Sequence, residues 1–406
     1  MKLKTIINSI KNKTFLDDAK TSIFIRFLFP LYSFLCKKMK VEKDKIVFSN
    51  FYGRGYGDNP KYIAEYIIEN KLPYRMVWLI DNKKCKVGDS LPKCIASIPY
   101  QSFKSVKALS TAGVWVDNCR KEFFPKKKDG QMYIQTWHGT FLTKKIEADA
   151  DLPEQYIKTA KKDSEAIDCL LSSNTERTKQ MKRCFWYDGE IVETGCPRDD
   201  ILFDRNKTIK SKNKIYDFYN IPKNNKILLY LPTFRNSHTL EPYKIDYSGI
   251  IDSLEKKFSG KWTAITRLHP GMLSFADKLN LPHFVVNGTF WNDTQELLSA
   301  ADVILTDYSS MGDYSLYLKP LFMYCPDLED YKKERGFAVS IESYPFPISK
   351  TNEELKEKIL NFNREEYNKK VEDYYKSQGL KEDGTACEKV LKLIEEFQLK
   401  RCGGIK

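Results

Sequence analysis

The chain has 406 residues, 42% of them hydrophobic and 30% charged, a length beyond what one core usually serves, so two domains are the default. A formal net charge of +13 and 13% aromatic residues suit a surface that meets polyanions: nucleotides, anionic lipid or phosphorylated polymers. Zinc-finger spacing, aromatic RNA-binding strand motifs and continuous basic helices are missing, which argues against nucleic acid. Ten scattered Cys with no CxxC pair argue against a disulfide framework, and four unclustered His against a structural metal.

In chain order, Thr21 to Cys36 (TSIFIRFLFPLYSFLC) comes first. It is short for a membrane span and interrupted by Arg26 and Pro30, with lysines on both sides. Its pattern fits a segment lying in the headgroup region of an anionic membrane, or a helix packed on the protein's own surface. From Lys45, short β-rich runs alternate with helical patterns. The runs are KIVFS (45–49), YRMVWLI (74–80), AGVWVDN (112–118), MYIQTW (132–137), CLLSS (169–173) and EIVETG (190–195). A polar stretch over 206–226 reads as a connection. The alternation then restarts with KILLYLP (226–232), TAITRL (263–268), FVVNG (284–288), DVILTD (302–307) and PLFMYC (320–325). This is the βαβ signature of parallel sheets covered by helices. The organisation predicted is an N-terminal segment over 1–44, α/β domains over 45–210 and 211–380, and a C-terminal helix and tail over 381–406.

Ligands of such sheets sit beyond the carboxyl ends of the strands, where the unusual residues of this chain fall. FYGRGYGDNP (51–60) superficially resembles a nucleotide loop, but its third glycine comes one residue early, so no redox cofactor is expected. Asp58 and Asn59 precede Pro60 and either read an acceptor hydroxyl or cap the next helix. QTWHGT (135–140) ends a strand on His138, Gly139 and Thr140: a neutral imidazole that takes a proton from an attacking hydroxyl, a glycine that lets a ligand pass close, and a hydroxyl placed to cap a helix. GCPRDD (195–200) offers Arg198. In the second half, PTFR (232–235) offers Arg235 for bidentate pairing with phosphate. TRLHPG (266–271) presents His269, with Arg267 on the same side of the strand. Thr306, Asp307, Ser309 and Ser310 form a strand end opening a helix, an arrangement suited to a phosphate or diphosphate, with Asp307 free to accept from a polyol hydroxyl or to orient an imidazole. His238 and His283 lack such surroundings. An Asp-x-Asp at a strand end is missing, so no metal is expected to be essential.

At these residues the sequence resembles the CDP-glycerol glycerophosphotransferase family of teichoic acid synthesis. The resembling segments are SNFYGRGYGDNPKYIAEYI (49–67), QTWHGTFLTKKI (135–146), SSNTERTKQM (172–181), TGCPRDDILF (194–203), LYLPTFR (229–235), RLHPG (267–271), ILTDYSSMGDYSLYLKPLFMY (304–324) and DLEDYKKERGF (327–337). The resemblance implies two facing Rossmann-like domains of the GT-B kind around an interdomain cleft. It implies transfer of a polyol phosphate from a CDP-polyol to a lipid-linked saccharide or teichoic acid acceptor at the cytoplasmic membrane face. His138 then corresponds to the base on the acceptor hydroxyl, and His269 with Thr306–Ser310 to the binder of the donor phosphates. One departure is Cys196 in TGCPR. CDP-ribitol as donor, and a nucleotide-sugar glycosyltransferase of the same architecture, are the alternatives.

Overall fold

The computed structural model describes residues 29–81, 91–140, 144–235, 243–269, 272, 280–309 and 318–402. Two parallel sheets organise the chain. The first contains β1 (Glu42–Ser49), β2 (Arg75–Ile80), β3 (Ala96–Pro99), β4 (Ala112–Asp117), β5 (Met132–Gln135), β6 (Cys169–Ser172) and β7 (Glu190–Glu193), in the order 3-2-1-4-5-6-7. The second contains β8 (Lys226–Leu231), β9 (Trp262–Thr266), β10 (Val285–Asn287), β11 (Val303–Thr306), β12 (Leu321–Tyr324) and β13 (Ile348–Ser349), in the order 10-9-8-11-12-13. The α/β class expected from the sequence is what the structure has. Both sheets reverse direction of growth once, between β1 and β4 and between β8 and β11, and at such switch points the following loops part to leave a crevice.

The central strands are apolar on both faces because helices cover both: every residue of β4 and of β5 is buried. β3 and β13 escaped the sequence reading for a physical reason. Both are edge strands; β3 (ASIP) is half exposed and ends on a proline, and β13 has two residues, so neither carries the buried pattern.

The polar stretch read as a connection is instead largely a helix, Arg205–Phe218. Asp204 caps it by accepting from the N–H groups of Asn206 and Lys207 at 2.9 and 3.0 Å. Its buried face is narrow, with Ser211, Ile215 and Tyr216, which is why composition made it look like a linker. The helix Ala386–Cys402 returns to the first sheet's half. Asp200 accepts from its Ala386 and Cys387 N–H groups, and Gln398 donates to the Lys43 carbonyl at 2.9 Å.

Of the apolar N-terminal segment, residues 21–28 lie outside the described part; residues 29–37 are helical. One face, with Phe29, Tyr32 and Cys36, packs on Val106 and Phe123. The other presents Leu31, Phe34 and Leu35 at 57, 60 and 55% exposure beside exposed Lys37 and Lys38. No helix among the described residues is long and apolar enough to cross a membrane.

Candidate active site

At the carboxyl end of the first sheet, β5 runs out at Gln135 and delivers His138 three residues later. Gln135 holds this exit. Its Oε1 accepts from the Trp137 N–H at 3.0 Å, while its Nε2 donates to the Cys119 carbonyl and the Tyr133 hydroxyl. His138 Nδ1 is hydrogen-bonded to the Asn118 carbonyl at 2.5 Å. A carbonyl only accepts, so Nδ1 carries the proton and Nε2 keeps its lone pair. The ring lies between Trp137, stacked at 4.5 Å between centroids, and Phe51, edge-on at 4.8 Å. Burial pushes its pKa below the usual histidine value, against the Asn118 hydrogen bond and the Asp58 charge, which act to raise it. The imidazole is thereby kept neutral, in the form a base requires.

The surrounding backbone is unusual. Phe51, Tyr52, Asp58 and Trp137 all have positive φ (39, 59, 55 and 52°), a region that non-glycine residues avoid, and Gly139 adopts 141°. Strain of this kind persists only where neighbours over-determine the loop. Gly53 in the adjoining turn must be glycine, since a Cβ there would lie 2.8 Å from the Asp81 nitrogen.

Asp58 and Arg198 form an ion pair at 2.7 Å beside the ring. Asn59 is fully buried; it donates to the Trp137 carbonyl at 3.0 Å and accepts from the Arg198 N–H at 3.0 Å. It is a brace between the His138 loop and the 197–199 turn, and it has no surface on which to read an acceptor. Thr140 is buried too, with its hydroxyl near Cys196 Sγ and Asp199 at 3.5 Å and its carbonyl accepting from Ser173 and Asn174. These bonds anchor the loop to the Ser173–Asn174 segment, and residues 141–143, where a helix capped by Thr140 would start, lie outside the described part.

At the second sheet, His269 follows β9 by three residues and its side chain is exposed, 6.1 Å from the Phe234 ring. Arg267 reaches the Trp291 and Asn292 carbonyls at 3.2 and 3.4 Å. Ser309 is partly buried just beyond β11, and Ser310 lies outside the described residues, as do His238 and the Pro270–Gly271 turn.

Three expectations for this end are corrected. All five N–H donors of Arg235 are engaged: Nε and Nη2 with Asp327 at 2.7 and 3.0 Å, Nη1 with the Thr233 carbonyl and hydroxyl at 2.8 Å, and Nη2 also with Asp307 at 2.9 Å. With 2% of its side chain exposed, it has no fork left for a phosphate. Asp307 accepts from the Thr233 N–H and hydroxyl, the Tyr308 N–H and Arg235, so no lone pair is turned toward a polyol. Thr306 is buried and donates to the Leu231 carbonyl at 2.7 Å, tying β11 to β8. These three build the floor of the strand-end loops; His269 and Ser309 remain as the groups closer to solvent.

The two histidine loops are joined by a hydrogen-bonded chain. Asn59, bonded to the His138 loop, opens the helix Asp58–Glu69, whose Lys61 pairs with Asp293 and whose Tyr62 donates to Asp293 at 2.9 Å. Burial alone would raise the Asp293 carboxyl; Lys61 reverses this and holds it below the usual carboxylate range. Asp293 caps the helix Thr294–Ala300 and directly follows the two carbonyls that hold Arg267. Gln295 of that helix donates to Asp199 at 2.9 Å, and Lys144 bridges to Phe337 through backbone pairing. One group among the described residues has cation-ligand spacing: Cys196, Asp199 and Glu382, with ligating atoms within 4.8 Å of one another. Its carboxylates already serve Gln295, Thr140 and the Cys196 N–H.

The family model of the CDP-Glycerol:Poly(glycerophosphate) glycerophosphotransferases matches residues 31–396. The chain belongs to this family. A teichoic acid poly(glycerol phosphate) polymerase of Staphylococcus epidermidis is 30% identical over 90% of this chain and 52% of that protein; this chain thus spans about half the length of that relative. A teichoic acid poly(glycerol phosphate) polymerase of Bacillus spizizenii is 30% identical over 85% of this chain and 90% of its own length. Among solved structures, the wall teichoic acid polymerase TagF superposes with a TM-score of 0.78 at 29% identity, covering 91% of this chain and 93% of that one.

The sequence reading placed both histidines just past strand ends, as the structure has them, but did not single out the residues around them. Asn118 and Asn50 around His138, and Asp327 beneath the Arg235 cluster, were overlooked. The available signal for Asn118 was modest: a polar residue directly after a fully apolar strand.

Proposed function

We propose that this chain transfers glycerol phosphate from CDP-glycerol to a hydroxyl of a lipid-linked saccharide or teichoic acid acceptor, releasing CMP. Its two Rossmann-like halves form a GT-B layout around a cleft, with the acceptor on the first-sheet side and the donor on the second. The observation that carries the reading is His138: a neutral, Nδ1-protonated imidazole, wedged between two aromatic rings at a strand end, with Nε2 left to act as base. The acceptor oxygen attacks the glycerol-bearing phosphorus and its proton passes to Nε2. The bond from that phosphorus to the oxygen shared with CMP breaks, and CMP departs with the electron pair. Phosphoryl transfer asks chiefly for positioning and charge neutralisation. His269, with Arg267 nearby and Ser309 just beyond β11, supplies the donor-side contacts. Gly139 leaves room beside the base, and the Asp58–Arg198 pair borders the acceptor side. No resident metal is required.

The exposed Leu31, Phe34 and Leu35, flanked by Lys37 and Lys38, suit peripheral contact with the anionic membrane that carries such an acceptor. The family and its relatives favour glycerol over ribitol phosphate as the transferred group. Offering the purified protein CDP-glycerol, CDP-ribitol and UDP-sugars with a lipid-linked disaccharide tests the reading. Acceptor-dependent CMP release, fastest with CDP-glycerol, is expected; UDP release in its place would make the chain a sugar transferase.

A further inference from the structure

The base is held by a second device that the reading of His138 does not itself require. β1 and β4 are neighbours at the first sheet's switch point, and each is followed at once by a buried asparagine, Asn50 and Asn118. Asn118 uses four of its polar groups here. Its N–H donates to the Asp117 carboxylate at 2.8 Å, and its Oδ1 accepts from the Phe51 N–H at 2.9 Å. Its Nδ2 donates to Asn50 Oδ1 at 2.8 Å, and its carbonyl accepts from His138 Nδ1. Asn50 in turn donates through Nδ2 to the Arg54 and Gly55 carbonyls, closing the turn that follows β1.

We propose that Asn118, with Asn50 as its partner, is the positioning residue for His138. Its carbonyl sets the imidazole as the Nδ1–H tautomer, and its carboxamide seats Phe51 against the ring. The inference deepens the reading of His138 as base and rests on it. Two loops that part at a switch point have no backbone pairing to keep them in register. Here a side-chain amide pair replaces that pairing, and it holds Phe51 at a positive φ that the residue would not choose alone. A buried amide pair also costs free energy when one member is removed, because the other is left unsatisfied. The charged groups that face the ring, Asp58, Arg198 and Arg177, lie on other elements and are untouched by changing Asn118.

The test is nitrogen NMR on the full chain labelled with [15N]histidine, where only four His give signals and His138→Ala identifies the one concerned. The parent should show His138 as the Nδ1–H tautomer. Asn118→Ala and Asn50→Ala should turn it into a tautomer mixture and lower kcat by about 100-fold, the scale of an ångström-sized misplacement, with donor KM unchanged. Asn118→Asp, which keeps an acceptor for the Phe51 N–H but loses the donor to Asn50, should fall between and guards against a variant that does not fold. An Nε2–H tautomer in the parent, or an unaltered tautomer and kcat in all three variants, would overturn the proposal. Full activity in His138→Ala would instead remove the base assignment, leaving the tautomer signals to decide the positioning claim by themselves.

Discussion

The two sheets repeat one topology, yet equivalent positions carry opposite chemistry. Directly after the strands that flank the first switch point stand Asn50 and Asn118, a neutral amide pair; at the second, Thr233, two residues after β8, and Asp307, directly after β11, are hydrogen-bonded across the gap and joined by Arg235. Three residues after the next strand, the first sheet places His138 and the second Asp327. The first site is therefore built on neutral amides, with His138 Nδ1 held by the Asn118 carbonyl. The second spends its charges on itself, since the one guanidinium of Arg235 is shared between Asp307 and Asp327 beside the stacked Tyr308 and Tyr331 rings. One topology thus carries a neutral amide pair beside His138 in one sheet and a shared ion-pair cluster around Arg235 in the other.

The largest effect that would break this comparison is on turnover. His138→Ala should lower kcat by roughly 10²–10⁴-fold, the usual worth of a positioned general base, with folding measured by thermal melting unchanged. Near-normal turnover would remove the base from the first sheet. Arg235→Ala should act on stability, by about 3–5 kcal/mol, because buried Asp307 and half-buried Asp327 lose their shared cation. Denaturant unfolding checks this, and a loss of donor affinity with full stability would return Arg235 to the phosphate. Lys61→Ala leaves Asp293 unpaired between the two halves and should cost about 3 kcal/mol in the same assay.

A subtler effect concerns pH. Burial disfavours the His138 imidazolium, so the base stays unprotonated to lower pH than a free histidine. The acid limb of kcat should fall below the ordinary value of 6.5; a limb above it would mean that a nearby carboxylate dominates. The smallest expected effect is none: EDTA should leave transfer intact, and loss of activity restored by Mg²⁺ would contradict metal-free charge compensation.

Much of the fold was legible because buried parallel strands are uninterrupted apolar runs, and β4 and β8 stand out in any window. The polar helix Arg205–Phe218 was not, since three buried residues on a charged cylinder leave little periodicity. At the site, His138 and His269 were visible as rare residues at strand ends. The misreading of Arg235, Asp307 and Thr306 has one cause. Sequence shows that a charged or hydroxyl residue stands at a strand end, but the partners that consume its hydrogen bonds come from strands about 75–90 residues away, as Asp307 and Asp327 do for Arg235.

The most direct test of the division of labour is to measure CDP-glycerol affinity by calorimetry and single-turnover CMP release for His138→Ala and His269→Ala side by side. The account predicts that His138→Ala binds donor as the parent does but fails to transfer, whereas His269→Ala binds donor weakly. Equal loss of donor affinity in both variants, or transfer that survives without His138, would contradict it.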